Sequence, residues 1–450
     1  MSEASLARDS AEAVIAADSE APGLAHAKRR GVGSLWVRGY NPTMAKLILF
    51  EDGGYANLLP LTYWRSVVEL RIGRRIVLDQ LAQTLETPVG GVWTRDWVAR
   101  VTSERCMTPA NQRVAAGDIL VNARWLPEGR VAFSDAPCVG RVGEEIAFVV
   151  CSERLAEQLA PVVMLGDSLA DGLSDVPSVP AGGSMFRYVW DLVSTLSDRL
   201  KAEWRDDAAV IETEMDSRVI VTERARLRIG ERSVVHPTAV LDASSGPIFI
   251  SHDVTVGAGC VIDGPAYIGP GARINPRAWL HGGNAIGPVC KIGGEVDGCI
   301  ISGYSNKQHE GFLGHAFVGC WVNLGAGTSN SDLKNTYGPV SVPLRGRLVD
   351  TGLQFFGAII GDHVKIGINA TIPTGAVIGF GANVVMTRPM PKYVPSFAWV
   401  TDDGATQADP AKLADVAAIM MKRRNMELSE AERALFASLP KQAKRHEAEG

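Results

Sequence analysis

At 450 residues the chain is too long for one ordinary core, so two or three domains are expected. A net charge of −5 and a pI near 6.0 give no basic footprint for nucleic acid or an anionic membrane. With 46% hydrophobic residues, no run approaching a membrane span and seven cysteines lacking a C-x-x-C pair, the sequence reads as a soluble protein with free thiols, at home in a reducing cytoplasm.

In chain order, residues 1–43 come first. "MSEASLARDSAEAVIAADSEAPGLAHAKRR" is rich in Ala, Ser and Glu and has no apolar core of the signal-peptide kind. Met44 directly precedes "AKLILF", which reads as a first strand. Residues 1–43 are therefore expected to be a disordered extension or the product of a misassigned start, with a weak amphipathic helix around Ala11–Ala17 as the alternative. Residues 44–184 open with "KLILFEDGGYANLLPLTYWRSVVELRIGRRIVLDQL", a strand, a Gly-containing loop and a segment ending in a helix. Over 185–215, Val189, Leu192, Val193, Leu196, Leu200 and Trp204 fall at helical spacing and predict one long connecting helix with a core-facing stripe.

Residues 216–400 carry a different rhythm. An aliphatic residue falls at every sixth position: Ile250, Val256, Ile262, Ile268, Ile274, Leu280, Ile286 and Ile292. Small or compact residues such as Cys260, Ala266 and Ala272 precede most of them by two. The rhythm is already present at Ile229, Val235 and Leu241, and returns at Val318, Leu324 and Ile360 through Val384. A period of six is neither helix nor flat strand; it is the hexapeptide repeat of a β-helix, three hexads to a triangular coil. The matching hexads predict roughly six coils, about 29 Å tall at the strand spacing. The rhythm slips between Ile292 and Val318, and leaves the pattern from Ser329 to Leu353. At those breaks the chain stops building a wall and is expected to build a site. Over 401–450, Asp409 before Pro410 and Ser429 with Glu432 mark the starts of two helices.

The repeat resembles the left-handed β-helix acyltransferases and sugar nucleotidyltransferases. From Ala45 to about Pro391, through "LPLTYWRSVVELRIG", "IGGEV", "GYSNKQHEGFLGH" and "NLGAGTSNSDLKNTYG", the chain is similar to the bifunctional uridyltransferase and glucosamine-phosphate acetyltransferase-like proteins. That resemblance implies an α/β nucleotidyltransferase-like domain, a left-handed parallel β-helix of acyltransferase type and C-terminal helices. It also implies a homotrimer with ligands in the grooves between prisms. In the first domain a Gly-rich loop would cradle nucleotide phosphates, which puts Asp52, Gly53, Gly54, Asn57 and Arg65 at the nucleotide. The loop here, "EDGGYANLL", lacks the family's further Gly, Thr and Arg. Where the family has a magnesium-binding Asp, "ILVNARWLP" presents Asn122, a poorer ligand because it brings no negative charge. Asp52 and Asp118 are the carboxylates left to take Mg²⁺, so nucleotidyl transfer is expected to be weak.

For the β-helix the resemblance implies acetyl-CoA as acyl donor and His309 as general base, with His315, where the family has an Asp, as second candidate. Lys307 and Asn323 would contact the acceptor sugar, Gly325 and Ala326 would face the thioester, and Asn335 and Tyr337 would close the pocket. His363, at an ordinary corner, is expected to be structural. No third ligand is spaced to join the two histidines around a metal. The family's phosphate-holding cations fall on Asn275 and Asp297, which disfavours a sugar phosphate as acceptor. The leading expectation is an acyl-CoA-dependent transferase acting on an amino sugar, sugar phosphate or nucleotide sugar. The alternatives are a sugar-1-phosphate nucleotidyltransferase whose β-helix serves trimerisation, and a non-catalytic ligand-binding scaffold.

Overall fold

In the computed structural model, residues 45–166, 172–204 and 209–448 are described; the segment 1–43 lies outside them. The first domain is built on a six-stranded sheet. Its strands are β1 (Leu47–Phe50), β2 (Val89–Trp93), β3 (Ile119–Asn122), β4 (Cys138–Val142), β5 (Glu145–Val150) and β6 (Ser178–Pro180), in the order β2-β1-β3-β5-β4-β6. β1 pairs in parallel with β2 and β3, while β3 and β5 are antiparallel. β1 reads LILF, with every residue buried, as expected for a central strand covered on both faces. Helices Val77–Thr84 (α1) and Asp96–Cys106 (α2) flank the sheet strands in sequence.

The connecting segment is two short helices, α3 (Val189–Ser194) and α4 (Leu196–Ala202), in place of one long one. The break is at Thr195, whose hydroxyl donates to the carbonyl of Asp191 at 2.6 Å, with Ser194 Oγ on the same oxygen at 3.4 Å. Hydroxyls that bond back to the previous turn in this way compete with helix continuation. The stripe Val189, Leu192, Val193, Leu196 and Leu200 is core, as its spacing predicts.

From 220 to 401 the chain winds a parallel β-solenoid. One face stacks nine parallel strands from Leu227–Ile229 to Tyr393–Val394, about 38 Å of wall. A second runs from Val234–Val235 to Ala398–Thr401, and a third from Ile220–Thr222 to Phe312–Gly314. The inward aliphatic column is fully buried. The count of roughly six coils is too low because only perfect hexads are visible in sequence. Ile250 to Ile268 keeps the eighteen-residue coil, but Ile286 pairs with Ile301 and Ile378 with Val394, coils shortened by three and two residues. Val318 pairs with Ile360 across a whole excursion.

The outward residues of the first face, Phe249, Tyr267, Ile300, Phe317 and Ile359 among them, are buried against the first domain. A buried ion pair, Arg65 with Asp362, links the two bodies, and Asp362 also accepts the Cys320 amide. At the far end, α5 (Pro410–Lys422) is capped by Asp409 and α6 (Glu430–Ala448) by the reciprocal Ser429 and Glu432 bonds. Both fold back on their own chain. α5 lies beside the second face at Lys365, Asn383 and Trp399, and α6 packs Phe436 on Trp64 and pairs Glu432 with Arg105. His363 is fully buried among Trp64, Phe380 and Phe436, consistent with a structural corner residue. No helix among the described residues is long and apolar enough to cross a membrane.

Candidate functional site

The loop after β1 is closed by its own side chains. Asp52 caps the turn Gly53–Leu58 by accepting the Gly54 amide at 3.0 Å, and the Tyr55 amide returns to the Asp52 carbonyl. Amides that a phosphate would use are thus taken. Arg124 lies across the loop, donating to Asp52 at 2.7 and 2.6 Å and to Glu145 at 2.8 Å. A Cβ on Gly54 would meet Arg124 Nε at 2.3 Å, so glycine is needed here for the guanidinium to lie on the backbone. Burial pushes the Asp52 carboxyl up, but the bonds and charge of Arg124 outweigh it and hold the group below its ordinary range. Gly53 is exposed and Asn57 half-buried on this turn. Arg65, expected at the nucleotide, is turned away into the ion pair with Asp362.

The magnesium site does not fit these residues. Asn122 gives its amide nitrogen to Asp52 and to the Ile146 carbonyl, and its oxygen takes the Arg124 amide at 2.9 Å. Asp118 is spent on the Lys46 and Ala115 amides. Among the described residues no three His, Cys, Asp or Glu side chains stand as a metal cluster. The first domain should therefore release pyrophosphate only poorly from a nucleoside triphosphate and a sugar 1-phosphate when Mg²⁺ is added; a brisk Mg²⁺-dependent release would show that Arg124 vacates the loop.

The first break occupies one coil. Asn306–Lys307 lies on the second face, Phe312–Gly314 on the third and Phe317–Val318 on the first. Lys307, expected to meet substrate, points inward instead. It pairs with Ile292 in register and takes the slot of an inward aliphatic residue. Its ammonium donates to the carbonyls of Gly293 (2.9 Å), His309 (2.9 Å) and Gly311 (2.6 Å), which leaves it no donor for a sugar. An Ile there would contribute about 1.5–3 kcal/mol by burial. The fold forgoes that and holds the break loop from within.

His309 stands exposed at the corner between the second and third faces, its Nε2 3.3 Å from Gln308 Nε2. Gly325 and Ala326 belong to the same corner, since the Gly327 amide bonds Glu310. Gly325 stacks so closely on the next coil that a Cβ would lie 2.5 Å from Gly367. Asn323 faces outward on the second face, 3.4 Å from Asn306 and in register with Lys365.

His315 sits at the next corner, between the third and first faces. Its Nδ1 lies 2.8 Å from Asp332 Oδ2, and its ring is 5.6 Å from Phe355. A carboxylate on Nδ1 favours a proton there and leaves the Nε2 lone pair as acceptor. Asp332 comes from the second break, which leaves the third face after Ser329–Asn330, forms the hairpin Ser341–Leu344 and Arg347–Asp350, and returns. Asn335 and Tyr337 ride on this excursion, both exposed. The expected residues thus separate into two groups, one around His309 and one around His315. Six residues of chain span at most about 20 Å, with a strand between, so the histidines serve different corners. Sequence reasoning missed Asp332; the available signal was a carboxylate inside the second break.

Residues 47–212 match the family model described as sugar nucleotidyl transferase. The chain is 30% identical over 142 residues to the "Bifunctional protein GlmU" of Methanococcus vannielii, covering 31% of this chain and 33% of the relative. It is 35% identical over 141 residues to a "Bifunctional sugar-1-phosphate nucleotidylyltransferase/acetyltransferase" of Sulfurisphaera tokodaii, covering 31% and 35%. The chain thus spans about a third of the length of the curated relatives it matches. Among solved structures it is similar to AntD, an N-acyltransferase from Bacillus cereus in complex with dTDP and 3-hydroxybutyryl-CoA. That likeness is at 12% identity with a TM-score of 0.16, over 47% of this chain and 87% of that one.

Proposed function

We propose that the chain is an acyl-CoA-dependent transferase, with acetyl-CoA as donor and an amino sugar or nucleotide-linked sugar as acceptor. The observation that carries this reading is the break coil itself: a regular wall gives up an inward aliphatic position to Lys307 to fix a loop bearing an exposed histidine. The name of the Sulfurisphaera tokodaii relative, which joins nucleotidyl and acetyl transfer, supports the same class. The closed loop at Asp52 argues against nucleotidyl transfer as the main activity.

His309 would take the proton from the acceptor's amine or hydroxyl as that atom attacks the thioester carbonyl. The tetrahedral intermediate then expels the CoA thiolate, which receives the proton. Asn323 would orient the acceptor, with Gly325 and Ala326 beside the thioester. A second reading places the base at His315, because Asp332 orients its ring as a base is commonly oriented. The acceptor is expected to lack a tightly held phosphate: Asn275, in place of a cation, spends its amide on the Gln308 carbonyl.

The test is CoA thiol release from acetyl-CoA across a panel of amino sugars and nucleotide sugars, preceded by a thermal-shift screen for binding. Release with one acceptor class is expected. Pyrophosphate release without CoA release would move the activity to the first domain. The chain is also expected to assemble as a homotrimer, since the third face is left without a covering domain and exposes Trp279. Light scattering at micromolar concentration should return three times the chain mass, and a monomer counts against the trimer.

A further inference from the structure

The break loop is fastened through its carbonyls. Asn275 Nδ2 donates to the oxygen of Gln308 at 2.8 Å, and Lys307 Nζ to the oxygens of His309 and Gly311, with a third bond to Gly293. The residues around it have little choice. Gly293, Gly294 and Gly311 crowd the loop so closely that a Cβ on Gly294 would meet the His309 and Gly311 oxygens at 2.8 and 2.9 Å, with Lys307 Nζ at 2.9 Å. An apolar side chain at position 307 would satisfy the column but leave the Gly293 and His309 oxygens facing the interior unpaired, with Gly311 keeping only the Glu295 amide. A charged head inside an aliphatic prism is costly to bury, and nothing in the stacking of coils requires it, since Ile292 below fills the same slot without it.

We propose that Lys307 is a positioning residue, an internal three-donor latch that seats the loop carrying His309 for acyl transfer. This rests on the reading of His309 as base. Three donors meet three acceptors only while the amine is protonated. Burial pulls Lys307 down to about 8, against the raising effect of Glu310 from its own loop and of Cys299 and Glu295 from the neighbouring coil. Above that pH the neutral amine has two donors left, and one carbonyl faces a lone pair. The stability effect has the opposite sign. A lysine whose folded-state value is depressed binds fewer protons folded than unfolded between the two values, so this group adds stability as pH rises. Loss of turnover without loss of melting temperature just above pH 8 is therefore the signature of the latch.

The experiment compares the full-length protein with Lys307→Met. In the variant, kcat should fall about 10- to 100-fold, as for a base displaced by about 1 Å, while KM for the acyl donor stays unchanged. Hydrogen exchange should show residues 308–312 losing protection at pH 7 while the other coils keep theirs. In the unmodified protein kcat should decline above about pH 8, and the decline should be absent from Lys307→Met. The arm on the unmodified protein can be read even if the variant folds poorly, and a kcat that holds through that pH range overturns the latch. Unchanged kcat and exchange in Lys307→Met, with His309→Ala inactive, overturns the latch and spares the proposed function. If His309→Ala remains active, the base assignment fails on its own; exchange then decides the latch, loosened 308–312 supporting it and unaltered protection overturning it.

Discussion

His309→Ala should lower kcat for acyl transfer by about 10² to 10⁴-fold, the usual loss for a positioned general base. Acyl-CoA binding and assembly should survive. The side chain is exposed and fills no part of the prism, so the melting temperature should hardly move; surface substitutions usually stay within about 0.5 kcal/mol. The paired measurement is His315→Ala with Asp332→Asn. If His309 is the base, both should reduce turnover far less. If instead they remove it and His309→Ala retains near wild-type kcat, the base sits at the other corner, and the carboxylate-oriented ring is the one that works.

The second large effect is on stability. Arg65→Ala strands Asp362, a fully buried carboxylate, between the first domain and the prism. Removing one partner of a buried pair costs about 3–5 kcal/mol, whereas replacing both by apolar groups is often neutral. Arg65→Ala should therefore shift the denaturant midpoint sharply downward, and Arg65→Met with Asp362→Leu should recover most of the loss. Burial pushes Asp362 up while Arg65, itself held charged by that carboxylate, pulls it down. A nucleotide-binding role for Arg65 predicts the reverse: little change in stability and a loss of ligand affinity.

The solenoid was legible because a period of six has one explanation. Inward Ile and Leu recur wherever coils keep their length, and they point inward here. What escaped were coils with residues missing or added, since pairing is set by backbone register between coils and not by counting along the chain. The breaks in the repeat were legible as places, and the arrangement of side chains around them was not. Motif spacing put His309 and His315 in the first break, but six residues along a strand carry them to different corners. Nothing in "SNKQHEG" tells that the lysine turns inward, because its neighbours alternate and a register of one residue decides the face. Arg65 was misplaced for a related reason. A basic residue after a Gly-containing loop fits a phosphate site, while its actual partner lies 297 residues away. The connecting helix failed locally, at Thr195, where hydroxyl bonds to the preceding turn interrupt a correct apolar stripe.

The meeting of Tyr55 with His446, 391 residues later in the chain, has a consequence for synthesis. Tyr63, Trp64, Val98 and Val101 of the first domain share one core with Phe380 and Phe397 of the last coils and with Leu435, Phe436 and Leu439 of α6. A ribosome delivers these groups in three instalments, and until the third arrives the first presents an uncovered aromatic surface. Contacts this distant in sequence are slow to close, so the nascent chain should be a chaperone client until α6 has emerged. The two bodies also cannot be parted cleanly by a cut between them: each lacks a piece of its own interior without the other.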